Sequence, residues 1–405
     1  ASQKGSIYHV DVEMLNSNLL NLLRFNIRFG DHNLEALAAH ESTDWKESTA
    51  QNFKYTLASN DQDDLNNAVV QTPSAGWTNR YKLESWFGQV NYHFNGTYLI
   101  SGSFRRDGSS SFINDKWRNF GSIGAAWVMT NEAFMKDLTW LSYAKLKASY
   151  GVIGEQEGIG YYPGYDRFDI DNLNDNPAFS PDTKGNPDLT WETSKMFQAG
   201  LEFRISNFLT GSVDYYVKNT DNLLFDRRIG PSRGYALLRV NDGQMRNQGL
   251  EFDLTGHIVQ KKDFYINLGI NGEVIKNKIT KMPIDPVTGK QKPIDVQTNY
   301  GYAVGRSIFD FYLREFAGVD PTDGRTTWTV FYDDANNNNT MHAGESIGSM
   351  TPFLADNPDK GGNIKKTTTK AYSAGTLFHI GKTAIPKVRG AINLVGGFKG
   401  FDLAI

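Results

Sequence analysis

The sequence predicts an all-β fold, a transmembrane antiparallel β-barrel, and three observations carry that prediction. Apolar and polar residues alternate through about a dozen strand-length segments; short turns alternate with long Gly/Asn/Asp-rich connections; and aromatic residues gather near the ends of successive segments. A barrel in a bilayer produces all three, with an apolar face toward lipid, a polar face toward the lumen, short turns at one end and long loops at the other. Alternation alone also suits a soluble sandwich, whose apolar face packs on a second sheet. The sorting of connections by length has no cause in a sandwich.

Strand segments lie near 19 to 29, 34 to 45, 81 to 94, 97 to 106, 119 to 130, 144 to 152, 193 to 205, 208 to 219, 247 to 259, 264 to 276, 388 to 398 and from 401 to the end, with a further one near the start. Most are about 10 to 13 residues, slightly longer than the roughly 9 to 11 that cross a bilayer at a tilt. The pattern is clearest where Phe197, Ala199, Leu201, Phe203 and Ile205 alternate with Gln198, Gly200, Glu202 and Arg204. Successive side chains of a strand point to opposite faces, so each such segment has one greasy and one ionisable side. Val213 and Tyr215 against Ser212 and Asp214, Phe252 against Glu251 and Asp253, and Leu268 against Asn267 continue it. Leu201, Phe203, Val213, Phe252 and Leu268 are the expected lipid-facing residues.

Short connections lie at Gly30 to Asn33, Asn95 to Thr97, Ser206 to Phe208, Gln260 to Asp263 and Lys399-Gly400. Long ones occupy 46 to 80, 107 to 118, 153 to 192, 220 to 246 and 277 to 387. Parity refines two turns. Phe94 and Tyr98 both continue apolar faces, which asks for a three-residue loop with Gly96 at positive φ. Phe398 and Phe401 ask instead for a two-residue turn at Lys399-Gly400. The segment 277 to 387 must contain an even number of crossings and reads as one large extracellular excursion, with a β-like piece near Ser307 to Phe316 and a floppy tract at Asn336 to Asn339. Tyr92, Phe94 and Tyr98, Trp140 and Tyr143, Phe264 and Tyr265, and Phe398 and Phe401 read as an interfacial girdle.

Composition narrows the functions. Across 405 residues no Pro/Ser linker or change of rhythm marks a domain boundary, so 1-405 reads as one partial barrel. A net charge of -3 offers no field for nucleic acid, and the absence of cysteine removes disulfides and thiolate metal sites. No run reaches the roughly 18 apolar residues of a membrane helix. The histidines His9, His32, His40, His93, His257, His342 and His379 show no metal-ligand spacing, and Gly154, Gly158 and Gly160 precede no helix that would make a phosphate loop. Asp333, Asp334 and Asn336 to Asn339 suggest a calcium loop but read as lacking the EF-hand ligand spacing and terminal Glu, hence as a solvated loop. No catalytic residue, metal site or cofactor is expected.

At these residues the chain resembles the SusC/RagA family of TonB-linked outer-membrane transporters of the Bacteroidetes. Arg106-Asp107-Gly108-Ser109-Ser110 with Gly124-Ala125-Ala126-Trp127 is similar to its RDGSS-to-AGW segment. Leu146 to Val152 with Gly154 and Gln156 resembles LRASYGxxGNQ, with Glu155 in place of Asn. Asn186 to Glu192 resembles NPxLxWE, Asp214-Tyr215-Tyr216 with Asn222-Leu223-Leu224 resembles DYYxxxxxDLL, and Met245 to Glu251 resembles MxNxGxE. Gly318 to Gly324 and Gly397 to Leu403 resemble GxDPxTG and the F-KGFDL hairpin. The seven stand in family order.

The resemblance implies a barrel of about 22 strands when complete. Only part of it is expected here, without plug, TonB-interacting segment or last strands, as a fragment cut at both ends. It also implies active import of glycans or oligopeptides across the outer membrane of a Gram-negative bacterium. A SusD-like surface lipoprotein would lid the barrel, and the TonB complex would act through an N-terminal part. Glu202, Arg204, Asp214, Glu251, Asp253, Glu273, Lys145 and Lys147 would face the lumen or plug. Trp77, Tyr161, Tyr162, Tyr165, Phe309 and Tyr312 are the candidate ligand-binding rings, placed in loops. A surface β adhesin without transport is the competing reading; a barrel enzyme lacks a catalytic constellation.

Overall fold

The computed structural model describes residues 5–228, 235, 237–285 and 288–405. In chain order the strands are β1 (Ser6–Phe29), β2 (His32–Leu57), β3 (Ala68–Gln71), β4 (Ala75–Phe94), β5 (Tyr98–Ser109), β6 (Trp117–Val128), β7 (Leu141–Glu155), β8 (Arg167–Leu173), β9 (Asn176–Thr183), β10 (Glu192–Ile205), β11 (Leu209–Arg228), β12 (Leu237–Lys261) and β13 (Phe264–Lys281). There follow β14 (Asp295–Gln297), β15 (Tyr300–Tyr302), β16 (Asp310–Arg314), β17 (Phe316–Val319), β18 (Thr326–Asp333), β19 (Ser346–Ile347), helix α1 (Met350–Asp356), β20 (Ile364–Thr369), β21 (Leu377–Thr383), β22 (Val388–Phe398) and β23 (Phe401–Ala404). Two units contain them: Ala1–Phe94 with Ser101–Ile123 and Gly154–Trp191, and Asn95–Ile100 with Gly124–Ile153 and Glu192–Ile405.

In the first unit β1, β2 and β4 are antiparallel neighbours, joined at Phe29↔His32 by the two-residue turn Gly30-Asp31. The segment expected near the start and the one at 19 to 29 are a single 24-residue strand. Likewise β2 runs on to Leu57 and β4 begins at Ala75, so much of the expected 46-to-80 loop is strand. Asp44, which lies opposite Lys82 and pairs with both Lys82 and Arg80, explains the miss. A ladder that leaves lipid needs no apolar face, and opposed charges across it stabilise the pairing without alternation.

In the second unit the order is β7-β10-β11-β12-β13-β22-β23. Its short connections fall at one end: Ser206 to Phe208, Lys262-Asp263 and Lys399-Gly400. Phe398 pairs with Phe401 across Lys399 (φ 47°) and Gly400 (φ 87°), the left-handed pair a two-residue hairpin turn needs. Asn95 to Thr97 is the expected three-residue loop, with Gly96 at φ 60°. Phe264 and Phe398 meet edge to face at 6.3 Å beside these turns, and Phe208, Phe398 and Phe401 are exposed there, as girdle residues would be. Tyr143, expected in a connection, lies inside β7.

At the opposite end β11 extends to Arg228 and β12 starts at Leu237, so the expected 220-to-246 connection is largely a two-stranded ladder; residues 229–234 and 236 lie outside the described residues. Asp226 and Arg239 bridge that ladder at 2.9 Å. From the same end β13 leads into residues 282–387, and β22 then pairs directly with β13 from Val274↔Val388 to Phe264↔Phe398. Among the described residues the excursion therefore adds no strand to the main sheet. It folds on itself as two small antiparallel sheets, β14-β15-β16-β21 and β17-β18-β19 with β20 on β18, around the buried Tyr312, Val330, Tyr332 and Ile347.

Candidate functional site

Cross-strand register puts the charged residues of the second unit on one face. Glu202 opposes Ser212, Ser212 opposes Asp253, Asp214 opposes Glu251, and Glu251 opposes Glu273. Lys145 and Lys147 reach Glu202 at 3.2 and 3.1 Å, and Lys147 also reaches Asp214 at 3.0 Å. Asp214, only 9% exposed, further accepts the Gln198 side-chain amide at 3.0 Å. Gly200 sits opposite Asp214 and leaves room for this network, since a Cβ there would collide with Asp214 Oδ1 and lie 2.7 Å from Lys147 Cε. Arg389 on β22 pairs with Glu273. Ser212, Asp214, Glu251, Asp253, Glu273 and Arg389 border a cavity of about 540 Å³ on this face. Arg204 opposes Thr210 on the same face, and is exposed.

The other face is apolar and open. Leu201 pairs with Val213 and Val213 with Phe252, while Phe197, Tyr215, Leu250, Ile270, Val274 and Ile392 are exposed. A row of large apolar side chains that no protein layer covers, across the sheet from ion-paired charges, is what a strand needs between lipid and a wet lumen.

The six loop rings fare differently. Tyr161, Tyr162 and Tyr165 do lie in a connection, which packs Tyr161 and Tyr162 against β2 and β4 and leaves Tyr165 exposed. Trp45 stacks on Tyr161 at 5.2 Å and on Tyr81 at 5.3 Å, and the Tyr162 hydroxyl accepts the backbone N–H of Arg80 at 3.1 Å. Trp77 is an exposed residue of β4 rather than of a loop, because that strand outlasts its alternation. Tyr312 is 1% exposed, and its hydroxyl meets Ser349 at 2.7 Å. It holds the excursion together, and its ring has no face left for a ligand. Phe309 is half-buried just before β16, its carbonyl accepting the Thr383 hydroxyl at 3.2 Å. Sequence reasoning missed Trp45, Tyr81 and the polar hub Arg105, which holds Asp107 at 2.6 Å and Ser85 at 2.8 Å. Arg105 directly precedes the RDGSS motif, the one signal that marked it.

The expected solvated loop at 333 to 339 is ordered. Asp334 is fully buried and accepts the backbone N–H groups of Asn338 at 3.1 Å and Asn339 at 3.0 Å. Counted from Asp334, Glu345 does stand at the twelfth position, which corrects the expected lack of a terminal Glu. Its carboxylate, however, accepts the backbone N–H of His342, and Asn338 bonds the His342 ring. The loop thus closes on its own polar groups, and no three His, Asp or Glu side chains converge on a metal position among the described residues.

Within the excursion, burial pushes the His379 imidazole below its ordinary value, against the opposing Gly301 carbonyl that accepts from Nε2 at 2.9 Å; Arg306 lowers it further and Asp310 raises it. A depressed pKa means the unfolded segment binds the proton more readily. Packing here should be complete above the ordinary pKa of about 6.5 and weaken as pH falls below it. Amide exchange at 300–314 and 377–383 should accelerate between pH 7.5 and 5 beyond the intrinsic trend, and His379→Gln should remove that excess; equal protection at both pH values would refute it.

Long two-faced strands with alternating short and long connections define an outer-membrane β-barrel protein. The chain belongs to the TonB dependent receptor-like, beta-barrel family, whose profile matches residues 6–352. It is similar to TonB-dependent receptor P3 of Formosa agariphila, 32% identical over 315 residues that cover 74% of this chain and 31% of that protein. It is also similar to TonB-dependent receptor SusC of Bacteroides thetaiotaomicron, 30% identical over 66% of this chain and 28% of that one. The structure of the RagAB peptide transporter superposes with a TM-score of 0.80 at 27% identity, over 98% of this chain and 41% of the other. The chain spans about a third or less of the curated relatives it matches.

Proposed function

We propose that this chain forms part of a TonB-dependent importer that carries glycans or oligopeptides across the outer membrane together with a SusD-like surface lipoprotein. The observation that carries the reading is the ion-paired face around Lys147, Glu202 and Asp214 behind an exposed apolar face. As a lumen wall it would hold a plug through charges that can exchange partners, whereas an adhesin has no use for a polar interior. SusC is a TonB-dependent receptor and RagAB a peptide transporter, which makes import the natural activity of the whole protein. The TonB complex would act through other parts of that longer protein. Residues 282–387 leave the sheet opposite the short turns, so they would face the cell exterior and offer the lipoprotein a surface.

In the full-length protein, an epitope tag after Asn338 should be reachable on intact cells and one at Lys399-Gly400 should not. The lipoprotein should co-purify, and uptake should stop when TonB is removed. A surface-accessible tag at Lys399-Gly400 would invert the topology, and TonB-independent uptake would reject the mechanism.

A further inference from the structure

We propose that the outward face of the second unit, where its apolar belt ends away from the short turns, binds the phosphorylated sugar headgroup of lipid A, the glycolipid of the outer leaflet. The proposal rests on the import reading only for the orientation of the strands.

Parity fixes which residues look outward. On β13 the lipid-side positions run from Phe264 through Leu268 and Ile270 to Val274 and then change, in one step, to Lys276 and Lys278. The same face of β10 runs from Ile205 through Leu201 to Phe197 and then to Lys195, and that of β12 passes from Leu250 to Gln248 and Arg246. Register brings these ends together. Lys195 opposes Asn219, Asn219 opposes Arg246, Arg246 opposes Lys278, and Gln248 opposes Lys276. From Phe264 to Val274 the belt takes ten residue steps, about 33 Å of strand, hence about 25 Å of height at a tilt of about 40°. That is the height of the hydrocarbon band, so the cations begin where the headgroups do.

Their charge is largely uncommitted. Lys195 meets Asp221 at 2.7 Å. Arg246 donates from Nε to the Asn219 side-chain carbonyl at 2.7 Å, and among the described residues neither it nor Lys276 nor Lys278 meets a carboxylate. All four cationic residues are exposed. Like charges directly opposite each other weaken a sheet pair, as Arg246 and Lys278 are placed to do, and an anion between them removes that cost. Phe197, Leu250 and Val274 just below are exposed as well, so the patch continues the surface that acyl chains cover. An anion held there is most simply carried by a lipid. Long basic side chains suit such a boundary, with the stem on apolar surface and the charge in the polar zone. Arg246 can fork onto phosphate oxygens and the lysines meet them as point charges. The short turns lie at the other end, which makes this the outer leaflet, and the phosphates of that leaflet are those of lipid A. A single phosphodiester, as in phosphatidylglycerol, would leave most of the patch unneutralised.

The test uses delipidated full-length protein in detergent and reads displacement of a fluorescently labelled lipid A, which needs no transport. The competitors are diphosphoryl lipid A, lipid A stripped of its phosphates, phosphatidylglycerol and inorganic phosphate. Diphosphoryl lipid A should bind at least about tenfold more tightly than the other two lipids, with affinity falling as salt rises, and inorganic phosphate should displace the probe no better than chloride at equal ionic strength. Replacing Arg246, Lys276 and Lys278 together with Gln should weaken diphosphoryl lipid A at least about tenfold and the stripped form little. Lys261→Gln with Lys262→Gln, which removes two exposed cations at the short-turn end, should change nothing. Asp221→Asn, which frees Lys195, should tighten diphosphoryl lipid A, an outcome that misfolding cannot mimic. Equal binding of the phosphorylated and stripped forms, equally tight phosphatidylglycerol, displacement by phosphate ahead of chloride, or an Asp221→Asn variant that binds no more tightly would each overturn the proposal. So would a triple variant that keeps lipid A but loses the co-purifying lipoprotein, since the patch would then be a protein interface. Lipid A binding together with TonB-independent uptake would fault the import reading alone.

Discussion

Replacing Leu201 with Arg should destabilise the folded barrel by about 2 to 4 kcal/mol, the range for a cation near the bilayer midplane. Leu201 stands four residues from the end of β10 and pairs with Val213, whose other neighbour is Phe252, so the guanidinium would replace one apolar side chain in a row of three. Snorkelling past the row would still drag water into it. The control is Ser212→Arg, one residue along the neighbouring strand and on the opposite face, where Glu202 and Asp253 lie directly across. That change should stay within about 0.5 kcal/mol. Urea unfolding in lipid vesicles reads both. Equal costs at the two positions would mean that the faces have been assigned wrongly, and spin labels should agree, with oxygen relaxing a label at 201 and aqueous nickel one at 212.

This contrast is legible in the amino-acid order itself, because period-two alternation needs only one residue of context. Parity assigns Glu202, Asp214, Glu251 and Glu273 to one face, and the ladder brings them there together. The two-residue turn at Lys399-Gly400 and the three-residue turn at Asn95 to Thr97 follow from the same parity. What alternation cannot reach are stretches where lipid no longer imposes it. Around Asp44 and Lys82, and again around Asp226 and Arg239, strands continue on cross-strand charge pairs, and a polar strand resembles a loop when its partner is unknown. The candidate rings divide for a related reason. Tyr161 and Tyr162 have their roles from Trp45 and Arg80, over eighty residues away, whereas Tyr312 is buried by Ser349 and His379 from the far side of the excursion. A sequence shows that a ring sits outside the barrel rhythm; only the fold shows which of its faces is free.

Gly200 offers the sharpest test of the polar network, since the sequence gives it no motif and its backbone is ordinary extended chain. An alanine there should ordinarily help, because a strand glycine costs roughly 0.5 to 1 kcal/mol relative to alanine. Here the added Cβ would overlap Asp214 Oδ1, so Asp214 must leave its position between Lys147 and Gln198. Overpacking of this kind costs about 1 to 3 kcal/mol, more than the propensity gain, and Gly200→Ala should therefore destabilise. The sign alone is weak evidence, because many substitutions destabilise. The coupling is decisive: in an Asp214→Ala background the carboxylate is gone and Lys147, whose Cε would lie 2.7 Å from the new Cβ, has lost that partner and can swing aside, so Gly200→Ala should become neutral or mildly stabilising. A double-mutant cycle by urea unfolding should show at least about 1 kcal/mol of interaction, well above the roughly 0.3 to 0.5 kcal/mol within which independent sites add. Additive costs would show that Asp214 is not held where the Lys147 and Gln198 contacts place it, and the lumen reading of this face would lose its most buried member.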